Sequence, residues 1–189
     1  VSSHGIDQHR IFGMEFSLGI FTNLTQDHLD YHRTMEAYAN VKYAFFQNYL
    51  AGKPRIFNIS DPWGMKFFQQ SLPFAKAFGI HPDAEIRAEN IIMEAGKETC
   101  FTLIYGDERQ SIQMALTGHF NILNALAASA VREIFPVSLP AIAKGLNRVS
   151  HVPGRLEAVP NSADLHVFID HAHTPDALEN VLKTLRQLA

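Results

Sequence analysis

Three short apolar runs alternate with two helical patterns in the first part of this chain, and that alternation constrains the fold most. Leu18-Gly19-Ile20-Phe21-Thr22, Arg55-Ile56-Phe57-Asn58-Ile59 and the stretch from Phe74 to Ile80 have the length and apolar content of buried strands. Between the first two, Met35, Tyr38, Val41, Phe45 and Tyr49 recur at three-or-four spacing after Thr34, and Gly52-Lys53-Pro54 stops the pattern. Between the second and third, Asp61-Pro62 opens a helix predicted to reach about Leu72. Strand and helix in alternation predict an α/β core.

The texture changes between Ala84 and Leu116. Runs near Ile86 to Met93, Thr99 to Tyr105 and Gln110 to Leu116 lean towards β structure. They are separated by Ala95-Gly96-Lys97 and Gly106-Asp107-Glu108, which predicts an antiparallel meander appended to the core. Helices are predicted at about His119–Ile134 and Leu139–Val149, punctuated by Pro136 and Pro140. His151-Val152-Pro153-Gly154 is the best candidate linker. After it, strands at Arg155–Val159 and around Val167 and a helix from Thr174 look like the start of a second α/β domain. At the other end, Val1-Ser2-Ser3-His4-Gly5 reads as a strand end entering a loop, and both ends look cut from a longer chain.

Composition narrows the function classes. With 189 residues and 47% hydrophobic content the chain can bury a substantial core. A net charge of -3 argues against binding to nucleic acid or a membrane surface through charge. A single cysteine, Cys100, excludes an internal disulfide framework and fits a reducing, cytoplasmic compartment. No apolar run is long enough to span a bilayer, and no signal peptide is present.

Several polar constellations stand where chemistry could occur. Asp170-His171-Ala172-His173 follows the apolar run His166-Val167-Phe168-Ile169 and precedes Thr174-Pro175-Asp176, a helix cap with proline and an acid in the first turn. Such a strand-to-helix turn is where open α/β sheets place ligands, although a solvated loop is the plain alternative. Thr22 to His32 crowds Asp27, His28, Asp30 and His32 into a loop after a strand, either a cation site or a hydrogen-bonded structural loop. His28 and His32 have zinc-site spacing without the glutamate of the usual signature. Lys42 borders the apolar stripe of its helix, so it either snorkels to water or is desolvated into a nucleophilic amine able to capture carbon dioxide as a carbamate. Gly118-His119-Phe120-Asn121-Ile122-Leu123-Asn124 puts two carboxamides on one helix face, suited to an adenine edge or merely to local capping. In Gly154-Arg155-Leu156-Glu157, Arg155 is placed to reach a phosphate or to make a surface ion pair.

In this order these segments resemble the Mur ligase family over essentially the whole chain. The resemblance is carried by Phe21-Thr22-Asn23-Leu24, Asp27-His28-Leu29-Asp30-Tyr31-His32, the Lys42 segment, Gly118-x-Phe120-Asn121-x-x-Asn124, Gly154-Arg155-x-Glu157 and Ala172-His173-Thr174-Pro175-Asp176-Ala177-Leu178. Val1-Ser2-Ser3-His4-Gly5 with Gln8-His9-Arg10 looks most like the members that add the third residue of the cell-wall peptide. The resemblance implies the C-terminal part of a central ATPase-type α/β domain, with its appended antiparallel strands, in residues 1–151. It implies the start of a Rossmann-like α/β C-terminal domain in residues 152–189.

The activity implied is an ATP- and Mg2+-dependent ligase of peptidoglycan synthesis. It joins diaminopimelate or lysine to UDP-MurNAc-L-Ala-D-Glu through an acyl phosphate, as a monomer that binds no nucleic acid and inserts in no membrane. An anionic carboxylate must there meet an anionic triphosphate, which calls for metal ions to neutralise the charge. By matching position, the resemblance makes His28 a magnesium ligand and Lys42 a carbamylated lysine supporting a second metal. Ser2, Gln8 and Arg10 would contact the UDP-MurNAc dipeptide, and Asn124 would read adenine. Arg155 and Asp170 would hold ribose and phosphates, with His173 close by. Two departures stand out: His171 occupies a position usually held by tyrosine, and the Gly-rich phosphate loop ending in Lys-Thr is not in these residues. The chain by itself is therefore expected not to turn over ATP. The competing expectations are a folylpolyglutamate synthetase-like ligase and a metal-dependent hydrolase built on the two His/Asp clusters.

Overall fold

The computed structural model describes residues 1–94, 97–163 and 165–188, with the side chains of residues 176, 187 and 188 outside that description. The expected strand end at Val1–Gly5 is instead the start of a helix, α1 (Ser3–Asp7). Ser2 is the reason: its backbone is extended and its Oγ accepts a hydrogen bond from the Gly5 N–H at 3.0 Å, capping the first turn.

The predicted alternation follows as β1 (Gly19–Phe21), a four-residue helix α2 (Leu29–His32), α3 (Met35–Asn48), β2 (Arg55–Asn58), α4 (Pro62–Ser71) and β3 (Ala75–Gly79). Thr34 Oγ1 caps α3 by accepting from the Ala37 N–H, and Asp61 Oδ1 caps α4 by accepting from Gly64. β1, β2 and β3 are parallel. β4 (Ile86–Ile92) joins β3 in parallel through Phe78↔Ile86 and Gly79↔Arg87, and β5 (Thr99–Tyr105) and β6 (Glu108–Met114) continue antiparallel. The meander thus extends the core sheet, giving six strands in the order β1 to β6. Part of the predicted Ala95-Gly96-Lys97 turn lies outside the described residues.

Alternation along β2 separates two cores. Ile56 points to an aliphatic cluster with Leu103, Ile112, Met114, Ile122 and Leu126, covered by α5 (His119–Ser129) and α6 (Leu139–Asn147). Phe57 points the other way, into an aromatic cluster with Phe21, Tyr38, Phe45, Phe46 and Phe67 beneath α1, α3 and α4. The helix predicted to reach Ile134 is α-helical only to Ser129 and tightens to 3-10 geometry over Ala130–Glu133. There Ser129 Oγ donates to the Ala125 carbonyl, a side-chain bond that competes with the helical ladder.

Beyond the candidate linker, β7 (Glu157–Ala158) and β8 (Phe168–Ile169) pair antiparallel, each shorter than predicted. Asn161 ties the intervening turn: its Nδ2 donates to the Val159 and Leu165 carbonyls and its Oδ1 accepts from Ala163 and Leu165. The helix expected from Thr174 is α7 (Pro175–Leu188), with Thr174 Oγ1 accepting from Ala177. The acid expected in its first turn, Asp176, has its side chain outside the described residues. α7 reaches the first part of the molecule: Thr184 is buried, and its methyl lies 3.1 Å from where a Cβ on Gly118 would stand.

Candidate functional site

Ligands in open α/β sheets bind beyond the carboxyl ends of the strands. At that end of β1 a cleft of about 140 Å³ opens between Ile20, Phe21, Thr22 and Asn23 on one side and Val1, Lys42 and Phe46 on the other. Lys42 is half-buried at the edge of the α3 stripe, where its spacing put it. Its Nζ donates to the Val1 carbonyl at 2.9 Å and lies 5.9 Å from the centre of the Tyr38 ring. Burial pushes its ammonium below the ordinary lysine range, with Asp27 pulling part of the way back. An amine held that way reaches its neutral, nucleophilic form more readily than a solvated one.

Beside the cleft, α1, α2 and α3 meet in a corner of rings. His28 precedes α2 in left-handed geometry (φ 54°), its N–H donating to Asp27 Oδ1 at 2.8 Å. Its ring meets His4 edge-on at 4.9 Å and Tyr38 at 5.9 Å. His32, one turn on, is buried, with Nε2 2.8 Å from Ser3 Oγ and its ring stacked 5.0 Å from Tyr38. Burial, reinforced by the neighbouring His4, pushes His32 below the ordinary histidine value. The two histidines with zinc-site spacing therefore part company: His32 is an internal strut, while His28 is only half-buried. Among the described residues no three His, Cys, Asp or Glu side chains gather into a metal cage. The convergence that a metal-dependent hydrolase would need is not found there.

The two ends of α1 and the turn after it carry the residues expected to meet a substrate. Ser2, Gln8 and Arg10 are all exposed, with the Ser2 hydroxyl engaged as the α1 cap. Gln8 Nε2 donates to Tyr31 Oη at 3.4 Å, and Tyr31 Oη donates to Asp7 at 2.6 Å, fastening α1 to α2.

A second cleft, of about 590 Å³, lies between the first part of the chain and the segment after the linker. Leu116, Thr117 and Asn121 form one wall, and His151, Arg155, Glu157, His166, Phe168 and Leu185 the other. Its size suits a drug- or nucleoside-sized ligand. Arg155 is exposed at its wall. Of the paired asparagines, Asn121 lines the cleft and donates Nδ2 to the Thr117 carbonyl at 2.8 Å, whereas Asn124 is exposed outside the lining and donates to Asn121 Oδ1 at 3.5 Å. Asp170 turns both oxygens to backbone, accepting from Leu156 at 2.8 Å and Ala172 at 2.7 Å. His173 is exposed, its Nδ1 2.8 Å from the His171 carbonyl oxygen. Neither Asp170 nor His173 lines the cleft. Sequence reasoning missed His4 and Tyr38 as neighbours of His28, and Ser3 as the partner of His32. Only the Ser3-His4 pair in the opening segment hinted at two of them.

With this geometry in view, comparison with known proteins gives a consistent result. The model of the Mur ligase middle domain matches residues 1–132. A Bacillus cereus protein named UDP-N-acetylmuramoyl-L-alanyl-D-glutamate--2,6-diaminopimelate ligase is 40% identical over 195 residues, spanning 100% of this chain and 40% of that protein. A solved structure of a ligase of the same name superposes with a TM-score of 0.79 at 31% identity, over 100% of this chain and 39% of that one. The apo form of L. casei FPGS shares the fold at a TM-score of 0.70 and 21% identity, over 90% of this chain and 42% of that one. The chain thus spans about two-fifths of the length of the relatives it matches. It belongs to the Mur ligase family, whose middle domain occupies residues 1–132.

Proposed function

We propose that this chain supplies part of an ATP-dependent ligase that joins diaminopimelate to UDP-MurNAc-L-Ala-D-Glu in peptidoglycan synthesis. The observation that carries the reading is the whole-chain match, at 40% identity, to a ligase bearing those substrates in its name. The same match favours diaminopimelate over lysine, and a muramyl substrate over the folylpolyglutamate alternative, whose likeness is one of fold.

The residues present fit the groups such a reaction needs. The larger cleft accommodates the nucleoside of ATP, with Asn121 on one wall and Arg155 on the other. Asp170 then serves the nucleotide by fixing the backbone at Leu156, next to Arg155, and His173 stands on the same loop. Asn124 reaches the nucleotide through the carboxamide of Asn121. Lys42 has the half-buried amine that carbamate formation requires, which converts a cation into an oxygen ligand. His28 would hold one Mg2+ and a carbamylated Lys42 a second, each near the Tyr38 ring, and when bound such ions neutralise phosphate and carboxylate charge. Mg2+ keeps most of its shell as water and phosphate oxygens, so one or two protein ligands for each ion suffice and no all-protein cage is needed. Ser2 and Gln8 at the ends of α1 and Arg10 in the turn after it present donors to the UDP-MurNAc dipeptide.

The test is replacement. The matching segment of the Bacillus cereus ligase is exchanged for these 189 residues, and ADP release is followed with UDP-MurNAc-L-Ala-D-Glu and either amino acid. Turnover with diaminopimelate is expected. A folded chimera that releases no ADP with it, or one that works only with lysine, overturns the assignment. In that chimera Lys42→Ala should abolish turnover at limiting Mg2+, and normal turnover would remove the carbamate role.

A further inference from the structure

The loop that walls the Lys42 cleft is held from outside its own strand. Asn58, at the end of β2, is 3% exposed and donates Nδ2 to the Thr22 carbonyl at 2.7 Å. Its Oδ1 accepts from the Ser60 N–H at 3.0 Å, so both ends of the carboxamide are engaged. Asp61 is 9% exposed; its Oδ2 accepts from the Leu24 N–H at 3.2 Å while Oδ1 caps α4 through Gly64 at 2.9 Å. A serine or threonine would cap α4 as well. What the aspartate adds is the second oxygen, which reaches a segment 37 residues away. The two contacts bracket Asn23, an exposed residue that lines the cleft, its Oδ1 accepting from Thr22 Oγ1 at 3.4 Å. The base of this clamp is stiff, because α4 sits so close that a Cβ on Gly64 would fall 1.9 Å from the Asn58 carbonyl oxygen. Leu24 completes the hold by burying its side chain in the aromatic cluster.

We infer that Asn58 and Asp61 are positioning residues for the Lys42 cleft: they fix the Thr22–Leu24 backbone and thereby present Asn23 at its wall. Burying a carboxylate costs free energy unless it is well hydrogen-bonded, and here the compensating bonds are spent on a loop at the cleft. The functional consequence rests on the proposed role of Lys42; the clamp itself does not.

The experiment is backbone-amide hydrogen exchange on the 189-residue chain, comparing the parent with Asn58→Asp and Asp61→Asn. Asn58→Asp opposes the Thr22 carbonyl with a second acceptor and leaves the Ser60 contact in place. Asp61→Asn keeps one acceptor for the α4 cap and turns an NH2 towards the Leu24 N–H. Exchange at Leu24 should accelerate roughly tenfold in each variant while the amides of Phe57 and Phe78 change by less than about twofold. Unchanged exchange at Leu24, or acceleration that is uniform across the sheet, overturns the inference. If Asn58→Asp does not fold, Asp61→Asn decides. A second measurement follows the 13C signal of a Lys42 carbamate in 13C-bicarbonate. A weaker signal in the variants supports the link between clamp and cleft, and an undiminished one overturns that link. Absence of the signal in the parent chain overturns the Lys42 reading instead, with the exchange data still deciding the clamp.

Discussion

The two faces of the sheet bury their polar side chains in opposite ways. On the aliphatic face most buried groups bond close to home, Ser129 to the Ala125 carbonyl and Asn121 to the Thr117 carbonyl, as does Thr184 of α7 to the Asn180 carbonyl. Thr99, meeting the Thr117 hydroxyl at 3.5 Å, is the exception. Around the aromatic cluster and at the carboxyl end of β2 the polar groups bridge distant segments: Ser3 to His32, Asn58 to Thr22, Asp61 to Leu24, Tyr43 to Ser71. Local bonds of the first kind stay within about one helix turn of their own element. Bonds of the second kind fix where one loop lies relative to another. The face that holds loops in register is also the face beside the Lys42 cleft.

The largest test of this contrast is to cut the apolar filling on each side. Phe57→Ala should cost about 3–5 kcal/mol and Leu126→Ala about 2–5 kcal/mol of folding stability in urea titrations. Only the first should also loosen Thr22 to Leu24 in hydrogen exchange. Equal loosening by both would break the comparison. Next come the serines. Ser3→Ala strands a buried imidazole nitrogen and should cost about 1–3 kcal/mol, whereas Ser129→Ala should cost less than about 1 kcal/mol. The same urea titrations measure both.

Acid sharpens the contrast further. His32 is held below the ordinary histidine value of 6.5 by burial and by His4. The unfolded chain therefore takes up that proton first as pH falls. The stability from keeping His32 neutral is whole above about pH 6.5 and drains away below it, towards and through the lower folded value. The urea midpoint should fall between pH 7.5 and pH 5, and His32→Gln should flatten that fall. The smallest effect expected is at a helix start: Thr34→Ala removes the α3 cap and should cost about 1 kcal/mol while leaving that pH dependence unchanged.

What could be read in the sequence was whatever depends on neighbours a few residues apart. The caps Thr34, Asp61 and Thr174 sit beside the helices they start, and the strands of the core and meander announce themselves by their own side chains. Lys42 was legible too, because helical spacing alone sets it at the margin of an apolar stripe. α1 was not legible: a five-residue helix has no periodicity, and its cap resembles any serine in a loop. The Asn58–Asp61 clamp was invisible for a different reason. Its partners lie 36 and 37 residues away, and only the finished sheet brings them together. His32 misled because spacing said that it shared a face with His28, while the corner buries one ring and leaves the other half-exposed.

Gly118 lets α7 pack against the start of α5 by having no side chain at all. Its backbone, at φ 99°, starts α5, and Phe120 and the Thr184 methyl occupy the space a Cβ would need, at 2.8 Å and 3.1 Å. A methyl group there would act as a wedge, straining the turn and prising α7 away from α5. How closely the two parts of the chain meet here thus depends on an atom that is not there.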